Sequence, residues 1–298
     1  MTVAQFFEAL TKLSGLLFVV ASMLAMGLSL TMGQILQPLK NARLVILALL
    51  ASFVAVPALG YGICWAFSLD QQLKTGLIVL AAAGGAPFLP KLVQGAKGSV
   101  AFGVGLMVLL MVVTIIYLPL VLPRLLPGVT VDSWAIAKSL IVLMLVPLAI
   151  GLLINWHSPD SAKEWQPAMA KTSTIALLIL LVVGLGLSAS NIISLIGTGG
   201  LAAGVLFILG SLVVGYLLGM LGGRDPGLKS VMGLGTAQRN VSAALVVAAG
   251  NFPTGMTLPF VLTTALLGLL ILLPAARMMG RRKQPVRAAA AWSTAARE

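Results

Sequence analysis

Charge is scarce in this chain, and acid is scarcer still. Of 298 residues only 9% are charged, and only seven are Asp or Glu. Soluble domains carry about 25% charged residues, so an ordinary water-facing surface is excluded. One cysteine, Cys64, excludes an internal disulfide and a paired-cysteine metal or redox site. One histidine, His157, stands in "NWHSPDSAKEW", and no zinc ligand set assembles around it. HExxH, GxSxG and paired intramembrane carboxylates are missing. The chain therefore reads as a non-enzyme.

Apolar length is what the chain has. Hydrophobic residues make up 59% of it. Runs of about 20 apolar residues recur throughout, which is the length of a membrane-crossing helix. The ten-residue alternation of a transmembrane β-barrel is not seen. The fold class is an all-α polytopic membrane protein. Breaks at Gly, Pro and charge divide it into nine expected spans: 11–34, 43–68, 73–95, 99–122, 134–155, 171–190, 199–221, 227–250 and 256–278. Trp65, Trp134, Trp156 and Trp165 fall near span ends, where interfacial Trp is expected. Residues 1–33 lack the charged start and cleavage site of a signal peptide.

The net charge is +12, and its distribution follows topology. Lys40 and Arg43 follow span one, Lys97 span three, Lys163 and Lys171 span five, Arg224 and Lys229 span seven. A basic tail, 281–298, follows span nine with Arg281, Arg282, Lys283 and Arg287. The opposite loops hold only Lys74, Arg124 and Lys138. The positive-inside rule puts the N-terminus outside and the C-terminus in the cytoplasm of a plasma or inner membrane. No basic face interleaved with aromatics is present, so nucleic acid is not an expected partner.

The two halves echo each other. "MGLSL" (Gly27, Ser29) recurs as "LGLSA" (Gly186, Ser188), and "LKTG" from Leu73 recurs as "LKSV" from Leu228, at offsets of 159 and 155 residues. The matched spans run in opposite directions, so an inverted repeat is expected, the signature of secondary transporters. Residues 1–122 form its first copy and 123–280 its second. The matched third and eighth spans are also the broken ones. Span three carries "AAAGGAPFLPKLVQGAKG": Gly84 and Gly85 free the backbone, and Pro87 and Pro90 remove amide donors. Span eight carries "VMGLGTAQRNVSAALVV", with Thr236, Gln238, Arg239, Asn240 and Ser242 in an apolar run. Interrupted segments at corresponding positions point to a transporter's binding site.

All seven acids lie outside the spans, and Lys91 and Arg239 are the basic residues inside them besides those at span starts and ends, such as Arg43, Lys74 and Lys138. An ionised base at a helix centre costs about 2.5–3.5 kcal/mol. Arg239 admits two roles. It grips a carboxylate through two parallel hydrogen bonds, aided by backbone N–H groups from Gly84 to Ala86 and by Pro87 and Lys91 beside them. Alternatively it bonds carbonyls released at the span-three break, while Lys91 snorkels to the headgroups. Thr236, Gln238, Asn240 and Ser242 either touch the ligand or stitch crossing helices. Gly27, Ser29, Gly186 and Ser188 read as close helix packing, with Ser29 and Thr31 a weaker candidate stretch for cavity lining, and Thr114 and Tyr117 read as packing.

"MGLSL", "GGAPFLPKLVQGAKGSVAFGV" and "GTAQRNVSAALVVAAGNF", in this order, resemble the bile acid/sodium symporter family over almost the whole chain. The resemblance implies a core domain with two discontinuous helices crossing at the membrane centre and a panel domain against which it moves. Spans 2–4 and 7–9 then form the core, and spans 1, 5 and 6 the panel. It implies an organic anion as cargo, usually with sodium. It also implies where sodium ligands belong. A Ser-Asn pair falls on Leu89-Pro90, a Glu falls on Leu234, and Gln238 alone is retained as a family-equivalent sodium ligand. A fixed cation competes with a bound one. The expected activity is alternating-access transport of a small organic carboxylate with weak or no sodium coupling, as uniporter or exchanger, without a cofactor. A sodium-coupled organic anion or bile acid symporter is the alternative; a passive channel or a non-transporting receptor is the alternative of another class.

Overall fold

A computed structural model describes residues 3–36, 40–127, 132–187, 195, 197–223, 225–252 and 254–281. Its described elements are all helical: α1 (Val3–Ser29), α2 (Met32–Leu36), α3 (Ala42–Ala66), α4 (Gln71–Ala82), α5 (Leu89–Gly95), α6 (Val100–Leu125), α7 (Ser133–His157), α8 (Pro159–Leu187), α9 (Gly200–Leu221), α10 (Pro226–Ala237), α11 (Val241–Asn251) and α12 (Thr257–Arg281). Six of them, α1, α3, α6, α7, α9 and α12, contain stretches long and apolar enough to cross a membrane. This is a multi-pass helical membrane protein. The third and eighth expected spans are each two short helices, α4 with α5 and α10 with α11. The sixth falls on α8, which starts at Pro159 rather than near 171.

The rare acids have a structural use. Asp70, Asp132 and Asp225 each stand one residue before a helix and accept its first free N–H groups. Asp70 Oδ1, for example, accepts from Gln72 N at 2.8 Å and Leu73 N at 2.9 Å. Such caps supply orphan donors that water or lipid headgroups would otherwise have to meet.

α3 and α7 each contain a π-helical turn, Ala51–Ala55 and Ile141–Leu145. Each turn is followed by a proline, Pro57 and Pro147, which has no N–H for the carbonyl four residues back. In α3 that carbonyl belongs to Phe53, and the Tyr117 hydroxyl of α6 donates to it at 2.7 Å. Tyr117 is thus a cross-helix tie, which the packing expectation overlooked. An apolar neighbourhood says nothing about a backbone carbonyl left over by a proline.

α1 packs against α7 and α8. A Cβ on Gly151 would lie 2.6 Å from the Leu24 carbonyl, and one on Gly27 would strike Leu148, so this crossing admits only glycine. Asn155 of α7 donates to the Leu30 carbonyl at 2.8 Å. Gly186 differs from expectation: a Cβ there would meet open space. Ser188 lies outside the described residues. The helices α3–α6 and α9–α12 pack around the two interrupted pairs, where Ala81, Ala82, Ala83 and Ala86 are buried and their small side chains let backbones approach.

Candidate functional site

The two interruptions touch. α4 ends at Ala82 and α10 at Ala237, and the Asn240 N–H donates to the Ala83 carbonyl at 2.9 Å. At the first interruption Gly85 has φ +77°, and a Cβ on it would lie 2.6 Å from Met111 Cα. Only glycine fits so close to the α6 backbone. Thr114 of α6 satisfies Gly84 completely. Its hydroxyl accepts from Gly84 N at 2.8 Å and donates to Gly84 O at 3.0 Å. The expectation of a free Gly84 donor is therefore corrected: that N–H is already bonded. Thr114 is a positioning residue rather than mere packing.

At the second interruption Arg239 is 5% exposed and enclosed by carbonyls. Nε donates to Leu80 O at 3.1 Å and Nη1 to Thr236 O at 3.0 Å. Nη2 donates to Ala81 O at 2.6 Å and Ser52 O at 3.2 Å. Leu80 and Ala81 belong to the last turn of α4, Thr236 to the last turn of α10, and Ser52 to the π-turn of α3. The C-terminal carbonyls of a helix carry partial negative charge, so the guanidinium sits where two such ends converge. It bonds carbonyls released near the span-three break, one of its two expected roles. Four of its five N–H groups are taken up, which leaves one.

A cavity of about 500 Å³ adjoins this crossing, between α1 and α8 on one side and the interrupted helices with α12 on the other. Six expected site residues line it: Ala86, Pro87, Lys91, Gln238, Arg239 and Ser242. Gly84, Gly85, Thr236 and Asn240 are buried outside its lining. Asn240 instead caps α11, accepting from Ala243 N at 3.0 Å.

The polar groups left for a ligand are few. Among the described residues, the Gln238 side chain has no hydrogen-bond partner, and the buried Ser242 hydroxyl has none either. Lys91 is exposed in the cavity wall with Nζ 5.7 Å from the centre of the Phe88 ring. No carboxylate pairs with it among the described residues; the ion pair found there is Lys163 with Asp160. Leu89 and Leu234, two positions where the resemblance placed sodium ligands, are fully buried leucines. Four carbonyl oxygens at the crossing, the kind a sodium ion takes, accept hydrogen bonds from Arg239.

Of the opposite wall, sequence reasoning offered only Ser29 with Thr31, as a weak candidate, and missed the rest. Ser22 and Ser29 of α1 face the cavity, as do Gln166 and Ser173 of α8. In both pairs the members are seven residues apart, two helical turns, and so share one face. That spacing was visible beforehand. Ser29 lines the cavity rather than a helix contact.

The profile of the Sodium Bile acid symporter family matches residues 16–195. A probable sodium/metabolite cotransporter, BASS3, of Oryza sativa subsp. japonica chloroplasts is 27% identical over 67% of this chain and 47% of its own. Its Arabidopsis thaliana namesake is 24% identical over 70% of this chain and 47% of its own. The uncharacterized protein YbaS of Bacillus subtilis is 29% identical over 45% of each chain. The chain spans about half the length of these curated relatives. It belongs to the sodium bile acid symporter family, a family of transporters and not of enzymes.

Proposed function

We propose that this member of the sodium bile acid symporter family carries a small organic carboxylate by alternating access, with Arg239 in place of a bound sodium. The observation that carries this is the enclosed guanidinium at the crossing of two interrupted helices, directly beside a 500 Å³ cavity. In this arrangement α3–α6 and α9–α12 form the moving core, and α1, α7 and α8 form the panel. Nine crossings and an inverted repeat complete it. Support for the repeat comes from the interrupted helices. α4 and α10 are both 12 residues long, both capped by an aspartate, and those aspartates are 155 residues apart.

The substrate's carboxylate pairs with Lys91 and accepts from the Gln238 amide and the Ser242 hydroxyl. Its apolar body lies along Met26, Met107, Leu262 and Leu266, which also line the cavity. The exposed lining residues Ser29, Gln34 and Lys91 lie close in sequence to Lys40 and Lys97. By the positive-inside rule that face is cytoplasmic, so the cavity opens inward, with the N-terminus outside and the tail inside.

Uptake of monocarboxylates from pyruvate to glycocholate into proteoliposomes, under sodium or potassium at equal ionic strength, tests this. Rates equal within about twofold are expected, since 1.4 kcal/mol of coupling would already give tenfold. A steep sodium dependence overturns the replacement of sodium by Arg239. The names of the chloroplast relatives favour that sodium-coupled reading.

A further inference from the structure

We infer that this carrier works by exchange: its core returns across the membrane with an anion aboard rather than empty. This rests on the transport reading above and adds the mode of turnover. All four carbonyls that hold Arg239 lie on α3, α4 and α10. None lies on α1, α7 or α8, so the charge belongs wholly to the core and travels with it. A dissociable cation would leave with the substrate and let a neutral core return. A covalently attached guanidinium has no such exit.

No carboxylate at the crossing offsets it. The seven acids are Glu8, Asp70, Asp132, Asp160, Glu164, Asp225 and Glu298, all at helix starts or in the tail. Asp70, Asp132 and Asp225 are helix caps at chain positions outside the crossing. Translocation closes the cavity and removes its water, which strengthens any uncompensated charge. With a monocarboxylate bound at Lys91, Gln238 and Ser242, the charge facing the crossing and its cavity falls from two positive charges, Lys91 and Arg239, to one. Without one, both Lys91 and Arg239 cross with no counter-anion, and the carbonyls around Arg239 supply only partial charge. Loaded translocation is therefore fast, and empty return is the slow step. The driving force is then a gradient of carboxylate on the opposite side, not a gradient of sodium.

The test is counterflow in proteoliposomes of the full chain, with labelled pyruvate and labelled glycocholate as compact and bulky probes. Preloading the vesicles with the same unlabelled anion is expected to raise the initial rate at least about tenfold over unloaded vesicles, the factor that 1.36 kcal/mol of barrier produces. Equal rates in loaded and unloaded vesicles overturn the exchange inference while leaving transport standing. No protein-dependent movement of either probe in either arm overturns the transport reading, and the exchange inference with it. Arg239→Met is the second variant: where it folds, the ratio of loaded to unloaded rates is expected to fall towards one. An unchanged ratio removes Arg239 from the cause. Where it does not fold, counterflow on the unaltered chain still decides the question.

Discussion

The two interruptions look alike in outline and differ in chemistry. The first, between α4 and α5, has almost no polar side chains of its own: Ala83, Gly84, Gly85, Ala86 and Pro87. It offers backbone, chiefly the carbonyls of Leu80, Ala81 and Ala83. The second, between α10 and α11, carries Gln238, Arg239 and Asn240. It offers donors. One break is an acceptor surface and the other is its complement. Two helix interruptions in an apolar medium each leave groups that lipid cannot satisfy. Placing them in contact lets each meet the other's need. Among the described residues, Gln238 and Ser242 remain unpaired in the cavity lining, while the Asn240 Nδ2 and Ser52 Oγ atoms are buried without a partner outside it.

That division of labour can be broken from either side. Arg239→Ala takes the donor from four carbonyls at once and should destabilise the protein most, at about 1–3 kcal/mol for each buried acceptor left without a partner. Thermal melting in detergent measures this, and guanidinium chloride at non-denaturing concentration should recover part of the loss. Arg239→Lys should recover only part as well, since an ammonium has three donors in a different geometry.

Thr114→Val attacks the acceptor side. It leaves the Gly84 N–H and C=O without partners, at about 1–3 kcal/mol for each buried group. Thr114→Ser keeps the hydroxyl and should melt near the parent. An equal loss for Val and Ser would show that shape, not hydrogen bonding, matters there. Asn240→Ala removes a helix cap and is expected to cost about 1 kcal/mol, which a melting shift also reads. Lys91→Gln should change stability by less than about 0.5 kcal/mol, because Lys91 is exposed and unpaired. It should nevertheless weaken carboxylate binding, measured as loss of ligand-induced thermal stabilisation. Unchanged binding would remove Lys91 from the site.

Much of this was legible in the chain itself. Glycine and proline marked the first interruption, and a polar triplet in an apolar run marked the second. Arg239 announced itself because no acid exists in any span to pair with it. Other parts were not legible. Thr114 and Tyr117 look like ordinary residues of an apolar helix, yet each answers a backbone group far away in the chain, Gly84 at 30 residues and Phe53 at 64. Asn240, expected either to touch the ligand or to stitch the crossing helices, bonds the Ala83 carbonyl through its N–H and caps α11 with its side chain, a role the sequence did not announce. The spacing of Ser22 with Ser29 was readable, but nothing local says that this face of α1 opens on a cavity.

Composition and periodicity by themselves determined that the chain is helical, that it lives in a bilayer, and where its two helices break. Those are consequences of local physics: apolar length, missing amide donors, and the cost of charge in hydrocarbon. Which groups meet across the breaks was decided only by the tertiary structure. Leu80 and Arg239 are 159 residues apart and Ser52 and Arg239 are 187 apart, and nothing in either stretch alone specifies the other. An orphan carbonyl is invisible in a sequence, since every residue has one. It becomes a site only when the fold leaves it unpaired and brings a cation to it.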